Sequence, residues 1–329
     1  MVKADFDKVN HLFLAYPDGF NNEYDELVPF FDKLITKIPP EIHLHVIVSN
    51  IRARQKLEFK FPRRAMDIIV EEGWNEIWLR DVMGISNGEH IYKPIYEPNY
   101  CNYLAKTMNY RSLNNIAINI IKDHLQKGIV QIPLKLDGGN FIANHRFALI
   151  TEKLLQDNDL PEGEITAIIK DKMGVTPIFV PMNKGDVVGH TDGYMGFIED
   201  DIICISEYPK LDSLKDDIKY LDTLRGICAN LNLRIQPMQE RPLGYSIPCQ
   251  CEAKKKCCTY TANGCYVNFL RLNNTIILPE YTLTNLKETM YYNNVNEEAL
   301  SRYGYQVIKI NCDMLAQHGG SLRCLSFTC

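Results

Sequence analysis

The sequence predicts a mixed α/β fold, a five-fold pseudo-symmetric α/β propeller of ββαβ-type repeats. One pattern recurs five times along the 329 residues: a turn rich in Asp, Gly or Asn, an apolar strand, a tight polar turn and a second β-rich strand. Between copies, apolar residues follow a helical period and short β-rich runs come next. Each unit therefore reads as paired strands, a helix and a further strand.

The five copies begin at nearly equal intervals. Their first residues are Asp81, Asp137, Asp192, Asn263 and Gly319, which are 56, 55, 71 and 56 residues apart. A unit of about 55 residues cannot close a core alone, so we expect the units to pack around a common centre.

The segments between copies predict the remaining elements of each unit. Residues 113–125 and 211–231 have the apolar spacing of helices, and residues 176–180 and 307–310 are short β-rich runs. The fifth copy ends the chain before its last strand. The apolar segment His11–Pro17 is a free strand that would complete it.

The chain reads as a single catalytic domain over residues 1–329, because no Pro/Gly/Ser-rich linker interrupts it. The longest interval, 71 residues, indicates an insertion at about residues 247–262. The insertion contains four cysteines and a fifth follows it; the cluster considered is Cys249, Cys251, Cys257, Cys258 and Cys265.

Composition limits the class of partner. Hydrophobic residues make up 46% of the chain and charged residues 23%, and the net charge is −5, which does not favour nucleic acid or an anionic membrane as a partner. Neither a signal peptide nor an apolar run of membrane-spanning length is evident, so we expect a cytoplasmic protein whose eleven cysteines are mostly reduced. A homo-oligomer is compatible with the sequence.

Chemically reactive side chains cluster at the repeat starts. In a radial array these turns lie near one end, so three acids, one imidazole and one thiol are expected to converge. They are Asp81, Asp137, His190, Asp192 and Cys324. Taken alone, an Asp-Gly pair usually forms a turn, and a lone Cys is usually a small buried hydrophobic residue. Because these residues recur at equivalent positions of the repeats, a functional site is favoured.

Four of these segments resemble the ordered signatures of the guanidine-modifying (pentein) superfamily. The signatures are Trp-Leu-Arg-Asp at 78–81, Asp-Gly-Gly-Asn at 137–140, Gly-His-Thr-Asp at 189–192 and Gly-Gly-Ser-Leu-Arg-Cys at 319–324. The most similar branch is the agmatine deiminase and bacterial peptidylarginine deiminase family. The resemblance spans nearly the whole chain, and it implies the pentein fold and a deiminase.

The resemblance implies a role for each site residue. Asp81 and Asp192 bind the planar guanidinium from two sides, which suits its fork of N–H donors. Cys324 is the nucleophile, with a thiol pKa lowered by the bound cation and the imidazolium, and it forms a covalent amidino-thioether. His190 protonates the departing amine and then activates water, and Asp137, where relatives usually carry Glu, orients His190.

Further expectations concern the cleft and the cofactor. Trp78, Arg323 and Gly320 adjoin the signatures and are candidate cleft residues. The implied reaction requires neither a metal ion nor an organic cofactor. Its partner is a small guanidine substrate.

Agmatine, converted to N-carbamoylputrescine, is the favoured substrate, and the alternative is free arginine or a peptidyl arginine. Arg323 replaces the His common in the agmatine branch and matches arginine deiminases, so it could pair with a substrate carboxylate. Strand alternation, however, would turn Arg323 away from the cleft if Cys324 faces it. This argument favours agmatine.

Two alternatives come from other classes. A metal-dependent hydrolase could use His190, Asp192 and Asp137 as ligands. The cysteine cluster could serve a zinc or redox function, although its spacing does not fit a C-x₂-C zinc ribbon.

Overall fold

The structure is a computed structural model that describes residues 2–18, 24–99, 109–186, 188–243 and 261–329. The expected insertion at about residues 247–262 falls almost wholly outside these residues. Of the cysteine cluster, the structure describes only Cys265.

The described strands and helices alternate along the chain as the repeat pattern predicts. The strands are β1 (His11–Ala15), β2 (His43–Val48), β3 (Met66–Val70), β4 (Ile85–Ser86), β5 (His90–Ile95), β6 (Gly128–Lys135), β7 (Ile142–Ala143), β8 (Phe147–Thr151), β9 (Thr176–Val180), β10 (Met195–Glu199), β11 (Ile202–Glu207), β12 (Arg234–Gln239), β13 (Leu270–Leu272), β14 (Thr275–Glu280), β15 (Gln306–Asn311) and β16 (Ser326–Thr328). The helices are α1 (Val28–Lys37), α2 (Ile51–Lys60), α3 (Leu79–Met83), α4 (Tyr110–Ile120), α5 (Lys153–Asp157), α6 (Glu162–Met173), α7 (Lys215–Asn230), α8 (Leu286–Ser301) and α9 (Asp313–Gln317).

The strands form five sheets with one repeated connectivity. Four sheets have three strands, in the orders β4-β5-β6, β7-β8-β9, β10-β11-β12 and β13-β14-β15. In each, the first two strands form an antiparallel hairpin, and the third returns through a helical connection to lie parallel to the second. This is the ββαβ repeat predicted from the sequence.

The fifth sheet joins the two ends of the chain, in the order β16-β1-β2-β3. The antiparallel pair β16 and β1 places Phe327 opposite Phe13. The segment 11–17 therefore does complete the fifth unit. The structure adds α1 and the parallel strand β2, and a further strand β3 that the repeat pattern did not predict.

Some element boundaries differ from the expectation for local reasons. The helix predicted at 113–125 is α4, which starts earlier because Asn109 accepts a hydrogen bond from the Ser112 N–H at 3.0 Å, and it ends in a π turn at Ile121–Leu125. The fourth hairpin begins only at Leu270, because residues 264–269 form an irregular loop.

Apolar stripes on the helices pack against the sheets. In α6 the buried residues are Ile165, Ile169 and Met173, which share one helical face. In α7 the corresponding face carries Leu221 and Leu224, together with a buried thiol. Within the described residues, no helix combines the length and apolar character needed to span a membrane.

Replacement of Phe327 tests the closure of the chain. Phe327 is fully buried, and its ring centroid is 5.8 Å from that of Phe13. Phe327→Ala should lower the free energy of unfolding by about 3–5 kcal/mol, because it leaves a cavity at the junction of the two chain ends. Urea unfolding followed by circular dichroism measures the loss. The matched control is Phe59→Ala, since Phe59 is 89% exposed, and equal effects of the two changes would contradict the closure.

Candidate active site

The predicted site residues converge on four turns that meet between the sheets. Asp81 lies in α3, and Asp137 and His190 each precede a short 3-10 turn, at Gly138–Asn140 and Thr191–Gly193. The first 3-10 turn contacts both α3 and the second turn, and α3 contacts β16, which follows Cys324. Residues far apart in sequence are thereby brought together.

His190 lies between two buried carboxylates. Its Nε2–H donates to Asp137 Oδ2 at 3.0 Å, and its Nδ1 is 3.7 Å from Asp81 Oδ1. Burial alone would lower the pKa of His190, but the charges of Asp81 and Asp137 and the hydrogen bond outweigh it and raise the pKa to about 9. The ring is therefore an imidazolium at neutral pH.

Asp137 is also paired with a lysine that the sequence analysis did not single out. Lys153 Nζ is 3.2 Å from Asp137 Oδ2, and the same ammonium hydrogen-bonds Asp157 one helical turn along α5. Burial would raise the pKa of Asp137, but the bonds from His190 and Lys153 outweigh it and lower the pKa. An aspartate therefore reaches His190 even though relatives usually carry the longer glutamate here.

Gly139 marks the point that Asp81, His190 and Asp192 face. A Cβ atom at this position would lie 2.6 Å from His190 Nδ1, 2.9 Å from Asp81 Oδ1 and 3.2 Å from Asp192 Oδ1. The Gly139 N–H donates to Asp81 Oδ1 at 2.8 Å. Only glycine leaves this space open, and it also orients the carboxylate.

Asp81 is the acid most affected by this environment. Burial, together with the nearby charges of Asp137 and Asp192, outweighs the opposing effect of His190 and raises the pKa of Asp81 to about 6. Asp81 remains mostly ionised at pH 7.

Arg323 is bonded to Oδ2 of Asp192, the carboxylate oxygen other than the one near Gly139. Its Nη1 is 2.7 Å from Asp192 Oδ2, while Nη2 donates to the Phe141 carbonyl at 3.0 Å and lies 3.4 Å from Asp5 Oδ1. The expectation based on strand alternation was wrong in its premise, because residues 322–325 form a turn and β16 starts only afterwards. The guanidinium instead lines a cavity together with Asp5 and Arg80.

Asn268 holds the turn that carries Cys324. Its Oδ1 accepts hydrogen bonds from the backbone N–H of Arg323 at 3.0 Å and of Cys324 at 3.2 Å, and the Cys324 Sγ lies 3.4 Å from the same oxygen. Its Nδ2 donates to the Asp192 carbonyl at 3.0 Å. Asn268 belongs to the fourth repeat, from which the sequence analysis drew no site residue; its place in the repeat was the one available signal.

The thiol of Cys324 differs from the sequence expectation. Burial, followed by the charges of Asp192 and Asp81, raises its pKa well above the ordinary value. The lowered pKa expected from the sequence depends on a bound cation. The protein groups alone favour the neutral thiol.

Trp78 and Gly320 contact each other at the edge of this turn. A Cβ atom on Gly320 would lie 2.4 Å from Cζ3 of Trp78, so the indole packs directly on the glycine backbone. The Trp78 side chain is partly exposed, and the backbone N–H of Trp78 donates to the buried Glu76 carboxylate at 3.0 Å. The indole therefore forms a wall beside the loop of Cys324.

The two alternative functions, a metal-dependent hydrolase and a zinc or redox role for the cysteine cluster, gain no support within the described residues. His190, Asp137 and Asp192 do not form a group of ligand atoms close enough to hold one metal ion there, and Cys265 belongs to no such group either. The remaining cysteines of the cluster lie outside the described residues.

Comparison with known protein families identifies the family of this chain. The model of the Porphyromonas-type peptidyl-arginine deiminase family matches residues 1–329. The chain belongs to this family. It is a guanidine-modifying deiminase, an enzyme that hydrolyses a C–N bond of a guanidino group.

Solved structures show the same fold. An agmatine deiminase of C. jejuni is 16% identical with a TM-score of 0.76, and the match covers 100% of this chain and 96% of that one. The agmatine deiminase of Enterococcus faecalis is 15% identical with a TM-score of 0.75, over 99% and 94%. A dimethylarginine dimethylaminohydrolase of Pseudomonas aeruginosa is 13% identical with a TM-score of 0.54, over 98% and 100%. No curated protein matches the sequence.

Replacement of Asn268 tests its role in this deiminase. Asn268→Ala removes the side-chain acceptor of the Cys324 N–H, whereas the Arg323 N–H keeps the Asn268 backbone carbonyl at 3.2 Å, and the expected cost is about 1–3 kcal/mol. If the cost falls on the reactive conformation, kcat/KM should decrease about 5- to 150-fold.

The matched control for this measurement is Asn296→Ala. Asn296 is fully buried and bonds the Gln239 backbone at 2.9 and 2.7 Å, away from Cys324. The Asn296→Ala variant should have a lower free energy of unfolding, but its turnover per folded molecule should be unchanged. Unchanged kcat/KM in Asn268→Ala would contradict the assignment.

Proposed function

We propose that this deiminase hydrolyses a small guanidine of the agmatine type, releasing ammonia and a ureido product, N-carbamoylputrescine in the case of agmatine. One observation carries the proposal. Oxygens of Asp81 and Asp192 and a nitrogen of His190 face a single point at Gly139, and the turn of Cys324 lies beside them.

The two carboxylates are arranged to bind a guanidinium. Asp192 Oδ2 is held by Arg323 and Asp81 Oδ1 by the Gly139 N–H, so neither carboxylate must reorganise when the substrate binds. A guanidinium presents a planar fork of N–H donors that carboxylates accept in pairs. Its central carbon stays open to attack from the side of Cys324.

The substrate itself activates the nucleophile. Asp192 and Asp81 raise the pKa of the Cys324 thiol, and a guanidinium bound between them offsets their charge. The pKa then falls, and the thiol loses its proton to solvent. The thiolate donates an electron pair to the guanidino carbon and forms an S–C bond.

His190 then acts twice on the adduct. As an imidazolium it gives its proton to one nitrogen of the adduct, the C–N bond breaks, and ammonia leaves a cationic amidino-thioether on Cys324. The neutral ring takes a proton from water while the water oxygen bonds to the same carbon. The hydroxyl proton passes to solvent as the C=O bond forms and the S–C bond breaks, which returns the thiolate and releases the neutral ureido product.

The cations near the site favour a substrate without a carboxylate. Arg323 is bonded to Asp192 and Asp5, and Lys153 is bonded to Asp137 and Asp157. Within the described residues, neither is available to pair with a substrate carboxylate. The excess of acid in the chain, net −5, also favours the distal amine of agmatine. The family description favours a second candidate, a peptidyl arginine or free arginine.

Ammonia and ureido assays on agmatine, arginine and arginyl peptides test the proposal. We expect the highest kcat/KM for agmatine, and no turnover in Cys324→Ala. Cys312→Ala is the matched control, because Cys312 is a fully buried thiol whose pKa burial also raises, and it should retain turnover.

The possible outcomes separate the reaction from the substrate. Ammonia release from none of the guanidines would overturn the deiminase mechanism. An arginine preference that collapses in Arg323→Ala would keep the mechanism and reverse the substrate.

The pH profile tests the acid role of His190. In the free enzyme, kcat/KM should fall below about pH 6, as Asp81 is protonated and loses its attraction for the cation, and above about pH 9, as His190 loses its proton. Asp137→Asn removes a charge that raises the pKa of His190, so the basic limb should move to lower pH.

Asp157→Asn is the control for this profile. Asp157 belongs to the same network but bonds Lys153 and not His190, so its loss should leave the basic limb nearly in place. A basic limb that does not move in Asp137→Asn would refute the assignment.

A further inference from the structure

A histidine cluster lies on the fifth sheet, at the end of the strands away from the catalytic turns. We define it as His11, His43, His45 and Asp67, from the starts of β1, β2 and β3. In the parallel register His11 lies beside His43, and His45 lies beside Asp67. Since His43 and His45 are two residues apart on one strand, their side chains share a face of the sheet.

Three atoms of the cluster lie within reach of one ion. His43 Nε2 is 2.8 Å and His45 Nδ1 is 3.3 Å from the same oxygen, Asp67 Oδ2, and all three ligand atoms lie within 4.8 Å of one another. Tetrahedral zinc with bonds of about 2.0–2.1 Å places its ligand atoms roughly 3.3 Å apart. Small side-chain shifts therefore suffice to bind the ion.

His45 is prepared as a ligand. It is 1% exposed, and its Nδ1 has no hydrogen-bond partner among the residues that the structure describes. Its Nε2 is 3.0 Å from His11 Nδ1, and the ring stacks on Phe13 at a centroid distance of 4.1 Å. If Nε2–H donates to His11, the lone pair of Nδ1 is directed toward Asp67, an arrangement typical of histidines that bind metals.

We propose that His43 Nε2, His45 Nδ1 and an oxygen of Asp67 bind a divalent transition-metal ion of the zinc class, with water as a further ligand. Two imidazoles and one carboxylate suit zinc better than calcium or magnesium, which prefer oxygen ligands. His43 and Asp67 are about half exposed, at 51% and 52%, and this gives the ion a path from solvent. His11 is a positioning residue, acting through His45.

The consequence of binding is structural. The ion links β2 to β3 directly and, through His11, supports β1, which pairs with β16 next to the turn of Cys324. It touches none of the groups assigned to deimination. The proposal therefore stands or falls independently of the proposed function.

Cobalt(II) and zinc(II) binding to the chelator-treated full chain tests the site. We expect one equivalent of Co(II) with visible bands of a tetrahedral N/O site, displaced by Zn(II). Because the chain has eleven cysteines, thiolate-to-cobalt charge transfer must be recorded separately. His43→Ala and Asp67→Asn should each weaken Zn(II) binding at least tenfold, and His11→Ala should weaken it through His45.

The matched control is His145→Ala. His145 is 49% exposed and contacts two carboxylates, Asp7 at 3.0 Å and Asp200 at 3.2 Å, but lies outside the cluster. It should leave binding unchanged, and zinc should raise the Tm of this variant and of the wild type but not that of His43→Ala. The proposal would be overturned by absence of saturable binding, by a spectrum of thiolate ligation alone, or by a Zn(II) affinity in His43→Ala and Asp67→Asn equal to that of the wild type.

Discussion

The proposed catalytic centre depends on a buried imidazolium held between two carboxylates. His190 neutralises part of the charge that Asp81 and Asp137 bring into a desolvated space, and Lys153 and Arg323 neutralise more from behind. The raised pKa of Asp81 reflects both its burial and the acids around it. In the proposed mechanism this centre binds one further planar cation, and that cation lowers the pKa of the thiol that attacks it.

The repeats supply these groups from separate parts of the chain. Asp81, Asp137 and Asp192 each come from the start of a different repeat, at a short helix or a 3-10 turn. Cys324 lies five residues before the end of the chain, so its position depends on β16 and on its pairing with β1.

Sequence reasoning reached the residues that recur by position and by signature. The equivalence of the repeat starts pointed to Asp81, Asp137 and Asp192, and the spare apolar segment at residues 11–17 pointed to β1. It could not find Lys153 or Asn268, because their roles depend on contacts with residues from other turns and no signature includes them. It misjudged Arg323 because alternation holds in a strand but not in a turn. Sequence reasoning also could not predict the raised thiol pKa of Cys324, because the burial of this thiol and its proximity to two carboxylates are properties of the folded chain.

Nitrogen-15 NMR of histidine-labelled protein measures the charge of His190 directly. The chain has eight histidines, and the signal of His190 is identified by its loss in His190→Gln. The account predicts that both ring nitrogens carry a proton at pH 7 and that one proton leaves near pH 9. A neutral His190 ring at pH 7 in the folded, unliganded enzyme would contradict it.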